Sequence, residues 1–360
     1  MRRLVFGVVA AVAATLASSE GGLALTAEPR ADEQAPAGIT KTWTLPRTPD
    51  GKPDLQGTWT NATLTPLDRP GENTPLVMAK DQVAKREQEF RERVERLAQD
   101  SDPNRPAPPK GGDGSTGAAG NVGGYNNFWI DPGDRVAMIN GDYRTSLITY
   151  PDNGKVPPQT PEARQRAQQR AAAIKGRAPY DHPELRPLAE RCLMSFGSNA
   201  GPPMLPNYFY NNNYQIVQSK DAIMILVEMV HDVRVIRMGG ERLPKHIRPW
   251  MGDSIGRWEG DTLVVETTNF HPQQQFRGAS ENLKVTEHFT RTGPETILYK
   301  FDVDDPTTFT AKWGGEVPFN RTDELIYEYA CHEGNYALSN VLSGERNREK
   351  REAERKKSQQ

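Results

Sequence analysis

The sequence predicts a mainly β chain, an antiparallel barrel or sandwich dressed by peripheral helices. Segments rich in β-branched and aromatic residues recur between residues 204 and 336, at 214–218, 222–238, 262–269, 283–290, 296–303, 309–317 and 325–331. Turn residues separate them, most clearly at Gly239-Gly240, Glu259-Gly260-Asp261, Thr292-Gly293-Pro294 and Asp304-Asp305-Pro306. The longest apolar run outside the N-terminus, residues 214–236, falls inside this half, so the core is concentrated there. Seven strands at such short intervals fit hairpins closing a barrel or stacking as two sheets.

Earlier segments read differently. Arg2 and Arg3 precede an apolar stretch over residues 4–16, and small residues follow to Ala24 and Ala27. That order predicts a secretory signal over residues 1–27, cleaved after Ala24 or Ala27, with no transmembrane span once it is removed. Residues 28–45 read as a linker and residues 46–344 as one β-rich domain. Gly57-Thr-Trp59 opens the first strand, and Gly256-Arg-Trp258 echoes it. Residues 78–100 predict a surface helix with Val83, Phe90, Val94 and Leu97 near one face. The Pro- and Gly-rich stretch to residue 124 predicts a loose insertion. Short hairpin strands follow over residues 125–150. Thr160 caps a helix with Pro161 at its first position and Gly176 as its stop. A shorter helix over residues 184–192 carries Cys192. From residue 345 the tail has seven basic and four acidic residues and reads as a charged helix.

Composition narrows the function classes. Forty-five Lys plus Arg against 47 Asp plus Glu leave no basic field that suits a nucleic acid. Cys192 and Cys331 are the two cysteines, and in an exported chain an isolated pair predicts a disulfide. Periplasmic or secreted localisation follows from the same reading.

Chemistry gathers in the apolar run. Glu228, His231, Asp232 and Arg234 interrupt it, and ionisable groups in such a setting must be paired or shift their pKa. Read as one continuous strand, it puts Glu228, Asp232 and Arg234 on one face and His231 on the other. Their partners would come from neighbouring strands, with Glu287, Arg277 and Glu328 as candidates. A histidine among carboxylates is a kit for acid–base catalysis near neutral pH; the same charges also make a buried ladder that fixes strand register. His332, directly after Cys331, is the second candidate imidazole. Tyr214, Trp250, Trp258, Tyr299 and Trp313 supply aromatic surface for an apolar or aromatic ligand. No His-x-His or His-x-x-x-His spacing suggests a metal, and no phosphate-binding loop, dinucleotide fingerprint or nucleophile elbow is present, so no cofactor is implied.

The stretches Tyr210-Asn-Asn-Asn-Tyr-Gln-Ile-Val-Gln, Glu228-Met-Val-His-Asp-Val-Arg, Trp250-Met-Gly-Asp-Ser, Gly256-Arg-Trp-Glu-Gly-Asp-Thr-Leu-Val-Val-Glu-Thr-Thr-Asn-Phe and Tyr327-Glu-Tyr-Ala-Cys-His-Glu-Gly-Asn resemble a large family of exported, mostly uncharacterised bacterial proteins. The resemblance covers residues 52–57 and 125–344 and implies export and a calycin-like core. It brings no reaction. The resulting expectation is a barrel that binds a small, partly apolar or aromatic molecule. His231, Glu228, Asp232, Arg234 and His332 would there perform cofactor-independent elimination, isomerisation or hydration. The alternatives are a passive periplasmic binding protein and a structural envelope protein with a filled barrel.

Overall fold

Strands β1 (Gly57–Thr60), β2 (Val77–Met78), β3 (Met138–Ile139), β4 (Asp142–Arg144), β5 (Ile148–Tyr150), β6 (Asn213–Gln218), β7 (Ala222–Val227), β8 (Val233–Met238), β9 (Asp253–Glu259), β10 (Thr262–Thr268), β11 (Lys284–Gly293), β12 (Thr296–Asp304) and β13 (Trp313–Arg321) form the framework. Three helices accompany them: α1 (Lys80–Ala98), α2 (Pro161–Ala173) and α3 (Ala337–Ser358). The computed structural model describes residues 43–71, 73–98, 130–196, 201–207, 209–274 and 276–359. The predicted signal, most of the linker and residues 99–124 of the insertion lie outside them. No helix among the described residues is long and apolar enough to cross a membrane.

Nine strands close into a barrel in the order β1-β6-β7-β8-β9-β10-β11-β12-β13, with β13 returning to β1 through Trp59↔Arg321 and Thr60↔Asn320. The sheet is mixed rather than wholly antiparallel, because β8 and β9 pair in parallel. Short turns reverse the chain between β6 and β7, β7 and β8, β9 and β10, and β11 and β12, and a longer loop joins β10 to β11, whereas residues 239–252 carry it back along the barrel before β9 starts. A long crossover of this kind is what parallel pairing requires. β5 shares the edge of β13 not used by β12, pairing Tyr150 with Gly314 and Ile148 with Gly315. The short strands β2, β4 and β3 form a separate small sheet.

Period-2 patterning builds the wall. In β11 Val285, Glu287, Phe289 and Arg291 are buried while Lys284, Thr286, His288 and Thr290 are less so, and β12 alternates likewise with Ile297, Tyr299, Phe301 and Val303 inward. The interior is filled. Trp59, Tyr214, Ile216, Ile225, Phe289, Tyr299, Phe301, Trp313 and Phe319 belong to one contiguous core, and Met204 and Leu205 of the buried segment 201–207 join it. Trp59 of the Gly57-Thr-Trp59 triplet donates its indole N–H to the Leu55 carbonyl at 3.0 Å, with the Arg291 guanidinium 5.4 Å over its ring.

Two of the seven predicted strands differ. The run 222–238 is not continuous: it folds back at residues 228–232, where the Val227 amide donates to the Asp232 carbonyl at 2.8 Å and Val230 takes φ 66°. A β-branched residue rarely adopts that conformation, and no Gly, Pro or Asn marks the turn. Residues 325–331 are not a strand, since β12 occupies one edge of β13 while β1 and β5 fill the other. The helices behave more simply. Thr160 caps α2, its hydroxyl accepting from the Ala163 amide at 3.1 Å with Pro161 at the first position. In α1 Val83 is buried, but Val94 is exposed, so the apolar stripe is narrower than its spacing suggests. Residues 184–192 hold only one 3₁₀ turn, Pro183–Leu185.

Gly315 marks the tightest packing against the wall. A Cβ there would lie 2.1 Å from the Leu147 carbonyl oxygen, a contact only backbone movement relieves. Gly315→Ala is expected to lower the unfolding free energy by about 2–3 kcal/mol in a urea titration. Gly344→Ala, with open space in exposed α3, is expected to raise it by up to about 1 kcal/mol.

Candidate functional site

The organising stretch does place a charge inside the barrel. Arg234 on β8 points inward and is fully buried. Its guanidinium grips Glu287 of β11 in a two-pronged bond, with Nη1 to Oε1 at 2.9 Å and Nη2 to Oε2. Nε donates to Ser254 Oγ on β9 at 3.1 Å, and Nη2 to Thr267 Oγ1 on β10 at 3.0 Å. Tyr299 on β12 donates its hydroxyl to Glu287 Oε1 at 2.8 Å and accepts the Met204 amide at 2.8 Å. Burial, reinforced by the Glu287 charge, holds that phenol well above its ordinary pKa. Of the sequence candidates, Arg234, Glu287 and Tyr299 are therefore brought together, in a network sealed from solvent.

The others are spread around it. Glu228 caps the end of β7, accepting from Asn213 Nδ2 at 2.9 Å and near the Tyr327 amide at 3.5 Å. Burial pushes its carboxyl above the usual range, against the opposing effect of those bonds. Asp232 is half-buried at the turn into β8; the backbone of His231 lies in the same turn, and its side chain lies outside the described residues. His332 and Glu328 sit on the exposed stretch after β13. The Cys192–Cys331 disulfide ties that stretch to the loop after the 3₁₀ turn. Tyr214 is buried, its hydroxyl accepting from Asn61 Nδ2 at 3.2 Å. Trp313 packs among Phe276, Phe301 and Phe309; Trp258 is half-buried against the core; Trp250 lies 3.8 Å from the His271 ring. Arg277 is exposed in the turn before β11.

A concave site of about 550 Å³ lies instead on the outer wall, over β10–β13 and β5. His288 and Lys300 stand directly opposite each other on β11 and β12, and Asp302 is the next outward position. His288 Nε2 is 3.6 Å from Asp302 Oδ2, while the Tyr150 hydroxyl from β5 donates to Oδ1. Burial alone would raise the Asp302 carboxyl, but His288, Tyr150 and the Lys312 charge hold it below its ordinary value. Burial and then the bond to Asp302 push the Tyr150 phenol up. Thr262 and Thr290, hydroxyls 2.8 Å apart, line the same hollow with the mostly buried Leu298. Glu316 closes it, paired with Arg144 at 2.8 Å. An imidazole beside a carboxylate, with a cation opposite, suits proton transfer to or from a small ligand.

Sequence reasoning passed over His288 because attention went to the inward positions. The signal was present in the polar alternation Thr286, His288, Thr290 and Lys300, Asp302, Asp304, which marks two adjacent outward rows. Among the described residues one trio of carboxylates, Asp181, Glu345 and Glu349, approaches ligating distance. Arg346 and Arg348 already pair with it, so its charge is spent on α3. The sequence matches no known family model and no curated protein.

Two outcomes follow from the buried groups. Arg234→Met strands the Glu287 charge and is expected to cost about 3–5 kcal/mol in denaturant unfolding, whereas the double change Arg234→Met with Glu287→Leu recovers most of it. The raised carboxyl of Glu228 favours the folded state while protonated, and that contribution is lost as pH rises through its folded pKa. Glu228→Gln is therefore expected to raise the melting temperature relative to wild type at pH 8, with the gain shrinking toward pH 4.

Proposed function

We propose that this protein is exported and binds a small, partly apolar molecule on the outer wall of its barrel, where His288 exchanges a proton with it. The observation that carries the reading is the convergence of His288, Asp302, Tyr150 and Lys300 in one hollow. Asp302 faces Nε2 and favours the tautomer protonated there, which leaves Nδ1 as the proton acceptor. Tyr150 fixes the carboxylate that fixes the ring. Lys300 stabilises negative charge that develops on the ligand, and the Leu298 and threonine floor receives its body. The chemistry this suits is a cofactor-independent elimination, isomerisation or hydration. Export is supported by the disulfide, which is at home in an oxidising compartment. The filled interior favours a second reading, a structural envelope protein whose barrel is a rigid scaffold.

Ligand-observed NMR with phenol, benzoate and 4-hydroxybenzyl alcohol separates the two. Binding to wild type that weakens about 10- to 100-fold in both His288→Gln and Lys300→Met is the expected result. Binding that survives both changes, or none to wild type, overturns the outer-wall site and leaves the scaffold.

A further inference from the structure

A second hollow, of about 720 Å³, lies between the barrel wall and residues of β3, β4 and α1. It meets the His288 hollow where Leu298 of β12 pairs with Pro318 of β13, yet the two share no lining residue. Register builds its floor. Asn213 on β6 stands opposite Thr60 on β1, Thr60 opposite Asn320 on β13, and Asn320 opposite Thr296 on β12. Their chain neighbours Tyr214, Trp59, Phe319 and Ile297 are fully buried, so these four side chains face outward. The result is one row of amide, hydroxyl, amide and hydroxyl across four strands, about 14 Å long at ~4.8 Å per strand. Tyr143 of β4, Met138 of β3 and Glu87 of α1 supply further lining, with Asp131 and Arg135 from the loop before β3. The fold leaves much of this chemistry unused. Glu87 Oε1 accepts the Val136 amide at 3.0 Å and Asp131 Oδ1 the Gly133 amide at 3.1 Å, so each retains a second oxygen. Tyr143, Thr296, Asn320 and Glu324 make no side-chain hydrogen bond to a described residue.

We propose that this cleft binds a neutral saccharide laid along the row from Asn213 to Thr296. Three properties of the lining select that ligand. First, its amides and hydroxyls both give and receive hydrogen bonds, and its carboxylates receive them, which matches sugar hydroxyls that do both. An organic cation offers donors alone and would leave the amide N–H groups of Asn320 unanswered. Second, an anion such as a phosphate or a uronate would meet Glu87, Asp131, Asp134 and Glu324 against the guanidinium of Arg135, and be repelled. Third, Met138, Pro318 and the Tyr143 ring give apolar surface to the C–H face of a pyranose. The volume falls within the range of small-molecule sites. A row four strands wide outreaches a single ring, so the ligand is a disaccharide or longer.

Saturation-transfer difference NMR of the mature chain with cellobiose, maltose and N,N′-diacetylchitobiose tests this, with spermidine and glucose 6-phosphate as charged comparators. At least one disaccharide is expected to bind wild type. Asn320→Ala and the isosteric Thr296→Val are each expected to weaken it about 3- to 10-fold, and the double change about tenfold or more. Unchanged far-UV circular dichroism and melting of the variants separate lost binding from lost folding. A wild type that binds none of the three, or binding that survives the double change, overturns the proposal. Binding abolished by His288→Gln yet kept by the double change assigns the sugar to the neighbouring hollow and overturns it as well. Spermidine or glucose 6-phosphate bound in place of the disaccharides overturns it in favour of a charged ligand.

Discussion

The two-pronged bond between Arg234 and Glu287 is the constraint on which this barrel is built. The two residues sit on β8 and β11, separated by two strands, so the bond crosses the interior instead of following the ladder. Ser254 and Thr267, on those intervening strands, take two further guanidinium donors, and Tyr299 on β12 takes a carboxylate lone pair. A slip of one residue in any of these strands would turn its contributing group outward and leave a buried charge unsatisfied. The parallel β8–β9 pair is a joint that no hairpin fixes, and here Ser254 meets Arg234 directly. Met204 binds the same Tyr299 hydroxyl, so the buried segment 201–207 is attached to the network as well.

With its lumen committed in this way, the barrel has little to offer a ligand inside. Phe289, Tyr299, Phe301, Phe319 and Tyr214 pack in stacked, tilted and edge-to-face pairs around the network. Opening that space would expose a guanidinium and a carboxylate together, each stabilised by the other and by fixed hydroxyls. The outer wall carries no such penalty. Its charged groups remain partly hydrated, and the hollow over β10–β13 needs only side chains that the alternation already points outward.

Much of the fold was legible because it depends on period and punctuation. The β class, Thr160 with Pro161 at a helix start and the pairing of Cys192 with Cys331 follow from local rules, and the structure has them. Arg234 was also legible as a charge needing a partner, and Glu287 was among the residues proposed to supply it. The assignment of Glu228, Asp232 and Arg234 to one face was not sound, because it assumed a continuous strand. Val230 at positive φ turns the chain where nothing in the residue types announces a turn; closure of the barrel, a property of the whole sheet, demands the reversal there. For the same reason residues 325–331 look like a strand and have no edge to join. His288 was hidden by adjacency. It follows Glu287, and only the register says that one faces the core while the other faces Asp302.

The outer hollow is nevertheless coupled to the fold through a residue without a side chain. Asp302 on β12 lies opposite Gly314 on β13, and Gly314 lies opposite Tyr150 on β5. The phenol reaches Asp302 by crossing over Gly314, where a Cβ would stand 2.6 Å from its oxygen. Any larger residue at 314 would lift Tyr150 from the carboxylate and free Asp302 to rotate away from His288. The glycine also lets β5 dock, since the same Cβ would meet the Tyr150 ring at 2.7 Å. Packing of β5 and orientation of the imidazole therefore rest on one backbone approach. A rigid, charge-locked barrel is useful to such a site: it holds β11, β12 and β13 in fixed register, and the distance between His288 and Asp302 is set by that register.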